Sequence, residues 1–315
     1  MKPNKMKELS NRFTFLHGFK IYLSFLLISS LFVQTSKAQN LEPKIISYNC
    51  LVGGISGGVG AIINKKKDQK WHKAFVKGFV IGIGGGALMY SGKKLNSLIA
   101  IKQNLSYGWV SRAVFSAGNS IVENAAANRD FWSQWHYDVG FIRLEFKPKP
   151  FILTPRFMPS TFGGIVFMAA NGHFDYKTSL RSGTPTFHTD KIRYAPRLIG
   201  STASNGFLFT DTLASDKIYF ETYAHEMIHA FQFQEFSGVN TYLNPLSDKW
   251  KNKSATFKKI SKWIYLDANY EVMLFNYFII NQGPHGRRYC SNYLENEAEF
   301  LSVKKCACDY LNTGN

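Results

Sequence analysis

The first third of the chain holds two long stretches without a charged side chain. The first covers residues 45–63 and the second covers residues 78–92, and a lysine-rich loop lies between them. In both stretches glycines recur four residues apart, as in the series Gly78, Gly82 and Gly86. Residues with this spacing share one face of a helix, and glycine there lets two helix backbones approach closely. The pattern predicts a glycine-rich helical hairpin.

This hairpin has two alternative environments. At about 1.5 Å per residue, residues 45–63 are long enough to cross a bilayer, and the lysine-rich loop would then lie on the cytoplasmic side. Residues 78–92 are shorter and rich in glycine, so they are only weakly hydrophobic. The sequence leaves two alternatives open: membrane association through residues 45–92, or close packing within a soluble fold.

The middle of the chain changes from a helical to a strand-like period. Residues 110–128 place apolar side chains at helical spacing, which predicts an amphipathic helix. The segments that follow are short, rich in Phe and Ile, and separated by Pro and Gly, as is typical of strands. The predicted strands of one sheet are residues 140–146, 150–158, 163–170 and 205–210.

The last third of the chain has a helical pattern again. It begins at Ser215 and is interrupted by a polar and basic insertion at residues 247–263. A sheet followed by helices is an α+β arrangement. We therefore predict an α+β fold in which a glycine-rich helical hairpin precedes a small, mostly antiparallel sheet, one long helix and further C-terminal helices.

The N-terminus has the features of an export signal. Five basic residues within the first twenty precede an apolar run of thirteen residues, 21–33. Ser36 and Ala38 then place small side chains at the two positions that a signal peptidase reads, so that Gln39 would begin the mature chain. An uncleaved anchor is the alternative. We predict that residues 1–38 are a signal peptide and that the protein is exported, to the periplasm, the cell envelope or the medium.

The charge balance bears on the partners. The whole chain carries +17, of which residues 1–38 contribute +5, so the mature chain carries +12. Such an excess favours anionic partners, and it equally fits a soluble basic protein. We expect no nucleic acid partner, because the chain has an export signal and no recognisable nucleic-acid-binding motif.

The cysteines are consistent with an oxidising compartment. Their number is even, which allows disulfides in such a compartment, but the sequence does not determine which residues pair. The four residues are Cys50, Cys290, Cys306 and Cys308. Cys306 and Cys308 are separated by one residue, which is not the C-x-x-C spacing of a zinc knuckle or a redox pair.

The candidate chemistry begins with an H-E-x-x-H motif. On a helix, His225 and His229 share one face, so both imidazoles can reach one metal ion. Glu226 is offset around the helix and would hold the water bound to the metal. A third histidine ligand of the H-E-x-x-H-x-x-G-x-x-H kind would require glycine at the position of Gln232, which excludes that pattern.

A carboxylate near the C-terminus supplies the missing third ligand. Glu295 and Glu299 lie one turn apart on a predicted helix. We expect Glu295 to bind the metal and Glu299 to accept a hydrogen bond from a ligand histidine. Glu297 would face the opposite side of the helix, either solvated or in a salt bridge.

Together these motifs resemble those of the gluzincin metallopeptidases, whose second motif runs E-x-x-(A/S)-(D/E). Gln232 adds a similarity to small exported or membrane-linked peptidases with H-E-x-x-H-x-x-Q. The resemblance covers roughly residues 216–305, and Glu295 lies 66 positions after His229. Glu299 stands where aspartate is more usual.

The resemblance implies a zincin-like metallopeptidase domain over residues 139–315, after a hairpin and amphipathic helix over residues 39–138. It also implies a Zn²⁺ cofactor, peptide or protein substrates, and Glu226 as the catalytic base. A side chain that faces the cleft commonly stabilises the oxyanion in such sites. The candidates for this role are His285, Tyr289 and Tyr293.

The functional hypothesis is an exported zinc metallopeptidase. One alternative is a non-catalytic envelope protein in which zinc only ties two helices together. The other is a membrane-associated scaffold built on residues 45–92. The sequence does not identify a substrate.

Overall fold

The computed structural model describes residues 41–195, 198–211, 216–277 and 292–303. The predicted signal peptide lies outside these residues, and so do His285 and Tyr289. Cys50 is half-buried in the first helix, but the other three cysteines also lie outside, so the described residues do not test whether disulfides form. The described chain mixes helices and strands, which confirms the α+β class.

Three long helices open the described chain: α1 (Leu41–Ile63), α2 (Trp71–Lys102) and α3 (Tyr107–Ala126). Their glycines lie at the helix contacts. A Cβ atom at Gly57 would meet the backbone carbonyl of Gly78, and one at Gly118 would lie 2.6 Å from the carbonyl oxygen of Gly85. The backbones of α1, α2 and α3 therefore touch directly, and the predicted glycine-packed hairpin is confirmed.

The strands form two sheets rather than the one sheet that we predicted. The first is antiparallel in the order β1 (Trp135–Val139), β2 (Ile142–Pro148), β3 (Phe151–Phe157). The second has the order β4-β5-β7-β6, in which only β5 and β7 are parallel. Its strands are β4 (His173–Phe174), β5 (Thr186–Thr189), β6 (Gly200–Ala203) and β7 (Gly206–Thr210).

The remaining helices follow the first sheet. They are α4 (Pro159–Asn171), α5 (Tyr176–Ser182), α6 (Asp216–Glu235), a 3-10 helix (Ser237–Leu243), α7 (Asn244–Lys253), α8 (Ala255–Ile260), α9 (Asn269–Phe275) and α10 (Tyr293–Leu301). The polar insertion predicted at residues 247–263 is thus mostly helical.

Residues 163–170, predicted as a strand, lie within helix α4. The buried residues of α4 recur at helical spacing and are Thr161, Gly164, Ile165 and Met168. Pro159 occupies the first turn, where its fixed φ favours a helix start. The prediction was wrong because an eight-residue apolar window does not separate a strand from a buried helix turn.

Helix α6 lies at the centre of the core. Its buried residues Tyr223 and Phe231 contact opposite parts of the fold: Tyr223 packs on Phe209 of β7, whereas Phe231 stacks on Phe115 of α3 with ring centroids 4.5 Å apart. The three N-terminal helices and the second sheet therefore pack against the helix that carries the H-E-x-x-H motif.

Two helices are long and apolar enough to cross a membrane among the residues described. In α1, 61% of the apolar window is buried inside the protein, and in α2 the share is 33%. Core helices of soluble proteins have the same length and composition, so membrane association stays a prediction.

The domain boundary predicted at residues 138/139 falls within β1, which pairs with β2.

Candidate metal centre

The two histidines lie on an unbroken and deeply buried part of α6. No glycine or proline interrupts the sequence from 216 to 236. His225 and His229 are one turn apart, with ring centroids separated by 4.7 Å and ring planes at 84°. Neighbouring positions such as Ala224 and Ile228 are fully buried. The core thus fixes the helix, and the helix directs both imidazoles to the same side.

Glu295 completes a group of three ligand atoms. Its Oε2 lies 3.4 Å from Nε2 of His225 and 3.4 Å from Nε2 of His229, and the two Nε2 atoms are 3.1 Å apart. Bonds of about 2.0–2.1 Å in a tetrahedron separate two ligand atoms by about 3.3 Å. The three atoms therefore have the spacing of one face of a tetrahedral zinc site.

Helix α10 holds Glu295 in its first turn. Asn292 caps the helix by accepting a hydrogen bond from the backbone N–H of Leu294. Leu294 and Ala298 are fully buried, which anchors the helix beside α6. Tyr277 donates a hydrogen bond of 2.8 Å to the second carboxylate oxygen, Oε1 of Glu295. That bond leaves Oε2 directed at the histidines.

The charges in this group are strongly coupled. Burial lowers the pKa of His229, but Glu295 outweighs it and raises that pKa to about 9. Burial raises the pKa of Glu295, whereas His229 and His225 lower it well below its usual range. A metal ion at this position would have to displace a proton from Nε2 of His229.

Gln232 fixes the other ring nitrogen of His229. Its Nε2 donates to the carbonyl of Leu294 and to Oε2 of Glu297, at 2.9 and 2.8 Å. Its Oε1 must therefore be the atom that lies 2.8 Å from Nδ1 of His229. Nδ1 donates to this oxygen, and the lone pair of neutral His229 is on Nε2, the atom that faces Glu295.

Glu226 lies beside an edge strand. Thr202 of β6 donates a hydrogen bond of 2.6 Å to Oε2 of Glu226 and contacts its backbone carbonyl at 3.0 Å. A Cβ atom at Gly200 would lie 3.0 Å from Oε1 of Glu226, so the strand passes close to the carboxylate. The edge strand next to α6 is β6, whereas β7, which lies within the predicted strand 205–210, is in the interior of the sheet.

Glu297 is fully buried rather than solvated. Nζ of Lys93, on α2, lies 2.9 Å from Glu297 and 2.5 Å from Glu235 at the end of α6. Tyr48 of α1 donates to the same Glu235 at 3.2 Å. Burial and the neighbouring Glu297 raise the pKa of Glu235 to about 7, although Lys93 opposes this. The face of α10 opposite Glu295 therefore meets a buried ion-pair cluster.

The hydrogen bond that we predicted from a ligand histidine to Glu299 is not formed within the described part of the chain. Nδ1 of His229 is bonded to Gln232, and Nδ1 of His225 is buried without a partner among these residues. Glu299 itself is buried. The ring orientation of His229 is instead fixed by an amide on α6 itself.

Tyr293, the one described candidate for the oxyanion role, packs away from the three ligand atoms. Its ring contacts Tyr48 with centroids 4.4 Å apart. Burial and then Glu297 raise the pKa of Tyr293 well above its usual range, which places the residue beside the Lys93 cluster. The other two candidates lie outside the described residues.

Sequence reasoning missed Tyr277 and Thr202. Nothing distinguishes Tyr277 from the other tyrosines of the chain, and Thr202 belongs to a short strand without an apolar signal. Gln232 carried a signal, the H-E-x-x-H-x-x-Q pattern, but its role depends on contacts that only the fold creates.

The comparisons with known proteins give no relative from which a function could be transferred. No family model, no curated protein and no solved structure matches this chain. The chemistry of the site must therefore be argued from its own residues.

Proposed function

We propose that the protein is a zincin-like metallopeptidase that hydrolyses peptide bonds with a zinc ion held by His225, His229 and Glu295. The observation that carries the proposal is the convergence of these three ligand atoms, all within 4.8 Å of one another, on two different helices. Two imidazole nitrogens and one carboxylate oxygen are the ligand set of many catalytic zinc sites.

The surroundings of the three ligands support this assignment. Two of the three ligands have a hydrogen bond that fixes their orientation. Gln232 accepts one from His229, and Tyr277 donates one to Glu295. Such partners orient metal ligands and raise their basicity.

Glu226 is the base in this proposal. When bound, zinc would lower the pKa of its water to about 7 and polarise the scissile carbonyl. Glu226 accepts the proton of the attacking water and delivers it to the leaving amine. Thr202 holds one carboxylate oxygen, which leaves the other to exchange the proton.

The substrate class follows from the strand beside the base. β6 is the last strand of its sheet, and it lies next to Glu226 through Gly200 and Thr202. An extended peptide can pair with such an edge through main-chain hydrogen bonds. Because main-chain pairing does not read side chains, we propose peptide or protein substrates without assigning a sequence preference.

The test uses the chain from residue 39 onward, with zinc content and hydrolysis of a labelled protein measured on the same samples. We expect Glu226→Gln to keep its zinc and lose hydrolysis by about 10³-fold, because the base is gone while the ligands remain. Glu295→Ala should lose most of its zinc. The control is Glu221→Gln, on the same helix but outside the ligand group.

Two results would contradict the proposal. Loss of zinc from Glu226→Gln would make this residue a ligand rather than the base. A wild-type protein that binds zinc but hydrolyses no peptide would favour the alternative, in which zinc only ties α6 to α10.

A further inference from the structure

The turn between β2 and β3 presents an unusual surface. Residues 147–150 are all exposed. The next three residues, Phe151, Ile152 and Leu153, are apolar and have exposed fractions of 75%, 46% and 57%. They belong to β3, which is an edge strand. A run of exposed apolar residues on a sheet edge promotes association unless something covers it.

Helices α7 and α8 form a second part of this surface. Neither helix contains a buried residue. Trp250 of α7, Ile260 at the end of α8 and Trp263 just after α8 are 48%, 49% and 63% exposed. Between residues 244 and 263 six lysines accompany a single acidic residue, Asp248. These helices therefore combine aromatic and apolar side chains with a strong positive charge.

A groove of about 630 Å³ lies between the two parts, and Phe151, Leu153, Trp250 and Trp263 lie outside its lining. Lys147 and Ile152 line it on the strand side, and Lys251, Lys258 and Lys262 line it on the helical side. The segment 261–265 is also joined to β3 by backbone hydrogen bonds at Phe157. We call residues 147–153 and 244–263 the basic–aromatic surface.

The acidic residues in the groove are already neutralised. Glu123 forms a salt bridge with Arg143, and Glu145 lies 3.2 Å from both Arg143 and Arg156. Among the described residues the lysines of the groove therefore dominate its field. The groove is complementary to an anionic partner.

We propose that the basic–aromatic surface binds peripherally to an anionic lipid bilayer. Lysines would contact the lipid phosphates, while Phe151, Leu153 and Trp263 would enter the boundary between headgroups and acyl chains. Lysines flanked by Trp, Phe and Leu are typical of segments that lie in a membrane interface. The inference is independent of the peptidase proposal, because it uses none of the residues of the metal centre.

Two other occupants fit the surface less well. A second copy of the chain would bring the same lysines to the interface, and their repulsion opposes association. A soluble polyanion would contact the lysines but would leave the apolar tip of β3 exposed to water. Only a partner that is anionic outside and apolar inside satisfies both parts of the surface.

Vesicle flotation tests the proposal with the whole chain from residue 39. Vesicles of phosphatidylcholine alone are compared with vesicles that also contain phosphatidylglycerol. We expect binding only to the anionic vesicles, weakened by high salt. The triple variant Lys251→Gln, Lys258→Gln, Lys262→Gln should bind at least tenfold more weakly, since each lysine near the bilayer contributes to attraction.

The apolar part has its own variant and both parts have controls. Phe151→Ser with Leu153→Ser should also reduce binding at least severalfold at constant charge. The charge control replaces Lys65, Lys66 and Lys67 with Gln, which removes the same charge from the loop between α1 and α2. The apolar control is Leu180→Ser, at a site that is 70% exposed on α5.

The outcomes separate the alternatives. Unchanged binding of both surface variants, or equal binding to neutral vesicles, overturns the proposal. Loss of binding only in the Lys65–Lys67 control would assign membrane contact to the helical hairpin. Self-association in the absence of vesicles, abolished by the Phe151 and Leu153 variant, would identify a second copy as the occupant. Circular dichroism and thermal unfolding show whether each variant is folded.

Discussion

Nδ1 of His229 lies 2.8 Å from Oε1 of Gln232, and both N–H groups of the Gln232 amide are used elsewhere. The glutamine can therefore only accept a hydrogen bond from the imidazole. In its neutral form the histidine then presents Nε2 as a lone pair to a metal ion. A residue three positions after the second histidine thus sets the chemistry of that histidine.

We predict that Gln232→Ala weakens zinc binding by about 10–100-fold, because the orientation of His229 is lost while all three ligands remain. Competition against a fluorescent zinc chelator measures this effect. Gln234→Ala is the matched control, since Gln234 is also buried on α6 but bonds to Asn205, outside the centre. Equal losses in the two variants would mean that Gln232 acts only through stability.

Tyr277→Phe should weaken zinc binding by about tenfold, because Glu295 loses the hydrogen bond that directs Oε2 towards the histidines. The same zinc titration gives the result. Tyr270→Phe is the control, because the ring of Tyr270 stacks on Phe233 and takes no part in the ligand group. Full retention of affinity in Tyr277→Phe would show that Glu295 is oriented by its helix alone.

Lys93→Met should lower the free energy of unfolding by about 3–5 kcal/mol, because two buried carboxylates would lose their cation. Lys94→Met provides a neighbouring control. Lys94 forms an exposed pair with Glu42, and solvent screens such surface pairs, so its replacement should cost far less than that of Lys93. Urea unfolding of the two variants at neutral pH compares them directly, and similar losses would refute the assigned role of Lys93.

The glycines of α2 differ sharply in what surrounds them. A Cβ atom at Gly82 would meet the backbone carbonyl of Gly53, whereas one at Gly84 would meet nothing within 4 Å. We expect Gly82→Ala to destabilise the protein by about 1–3 kcal/mol or more through overpacking. Gly84→Ala should be neutral or stabilise by up to about 1 kcal/mol, because alanine is the better helix former. Thermal unfolding tests the sign of each change.

His136 connects stability to pH. Burial, and then the positive charge of Arg143, lowers the pKa of His136 from 6.5 to about 3. The histidine is neutral in the fold, so its contribution is complete above about pH 6.5 and is lost as the pH falls towards 3. The other charged groups that face it are Glu123, Glu145 and Arg129.

We predict that wild-type protein loses about 2 kcal/mol or more of stability between pH 7 and pH 4 through His136, and that His136→Gln removes this part of the loss. Two neighbours of His136 also contribute to the dependence of stability on pH. The pKa of Glu123, lowered to about 2, adds a loss between about pH 4.5 and 2, whereas the pKa of Asp138, raised to about 6, favours the fold at acid pH. Urea unfolding at several pH values shows whether the variant has the flatter profile.

The sequence was informative where a local pattern determines a contact. Glycines four residues apart predicted the contact of α1 and α2, and alternating short segments predicted β2, β3 and β7. The spacing of His225 and His229 requires only a helix, and Glu295 followed from a second helical motif. In each case the residue spacing that carries the signal lies within a single helix or strand.

Prediction from the sequence was incomplete where a contact depends on several secondary-structure elements at once. For Glu297 the sequence left open a solvated carboxylate or a salt bridge, and the salt bridge forms. Helical geometry alone could not show that its partner is Lys93 of α2, more than 200 positions away. Thr202 and Tyr277 reach Glu226 and Glu295 through the arrangement of a strand and a separate helix. Residues 163–170 were misassigned because their helical period extends beyond the apolar window.

The Lys93 cluster links two halves of the chain, the helices α1 to α3 and the part that begins at β1. These halves depend on each other as subunits of an oligomer do. The cation comes from one half, and both carboxylates come from the other. Either half alone would leave its part of the cluster without a counterion. A chain cut between α3 and β1 should therefore stay associated, and the separate fragments should acquire the proposed metal site only when they are mixed.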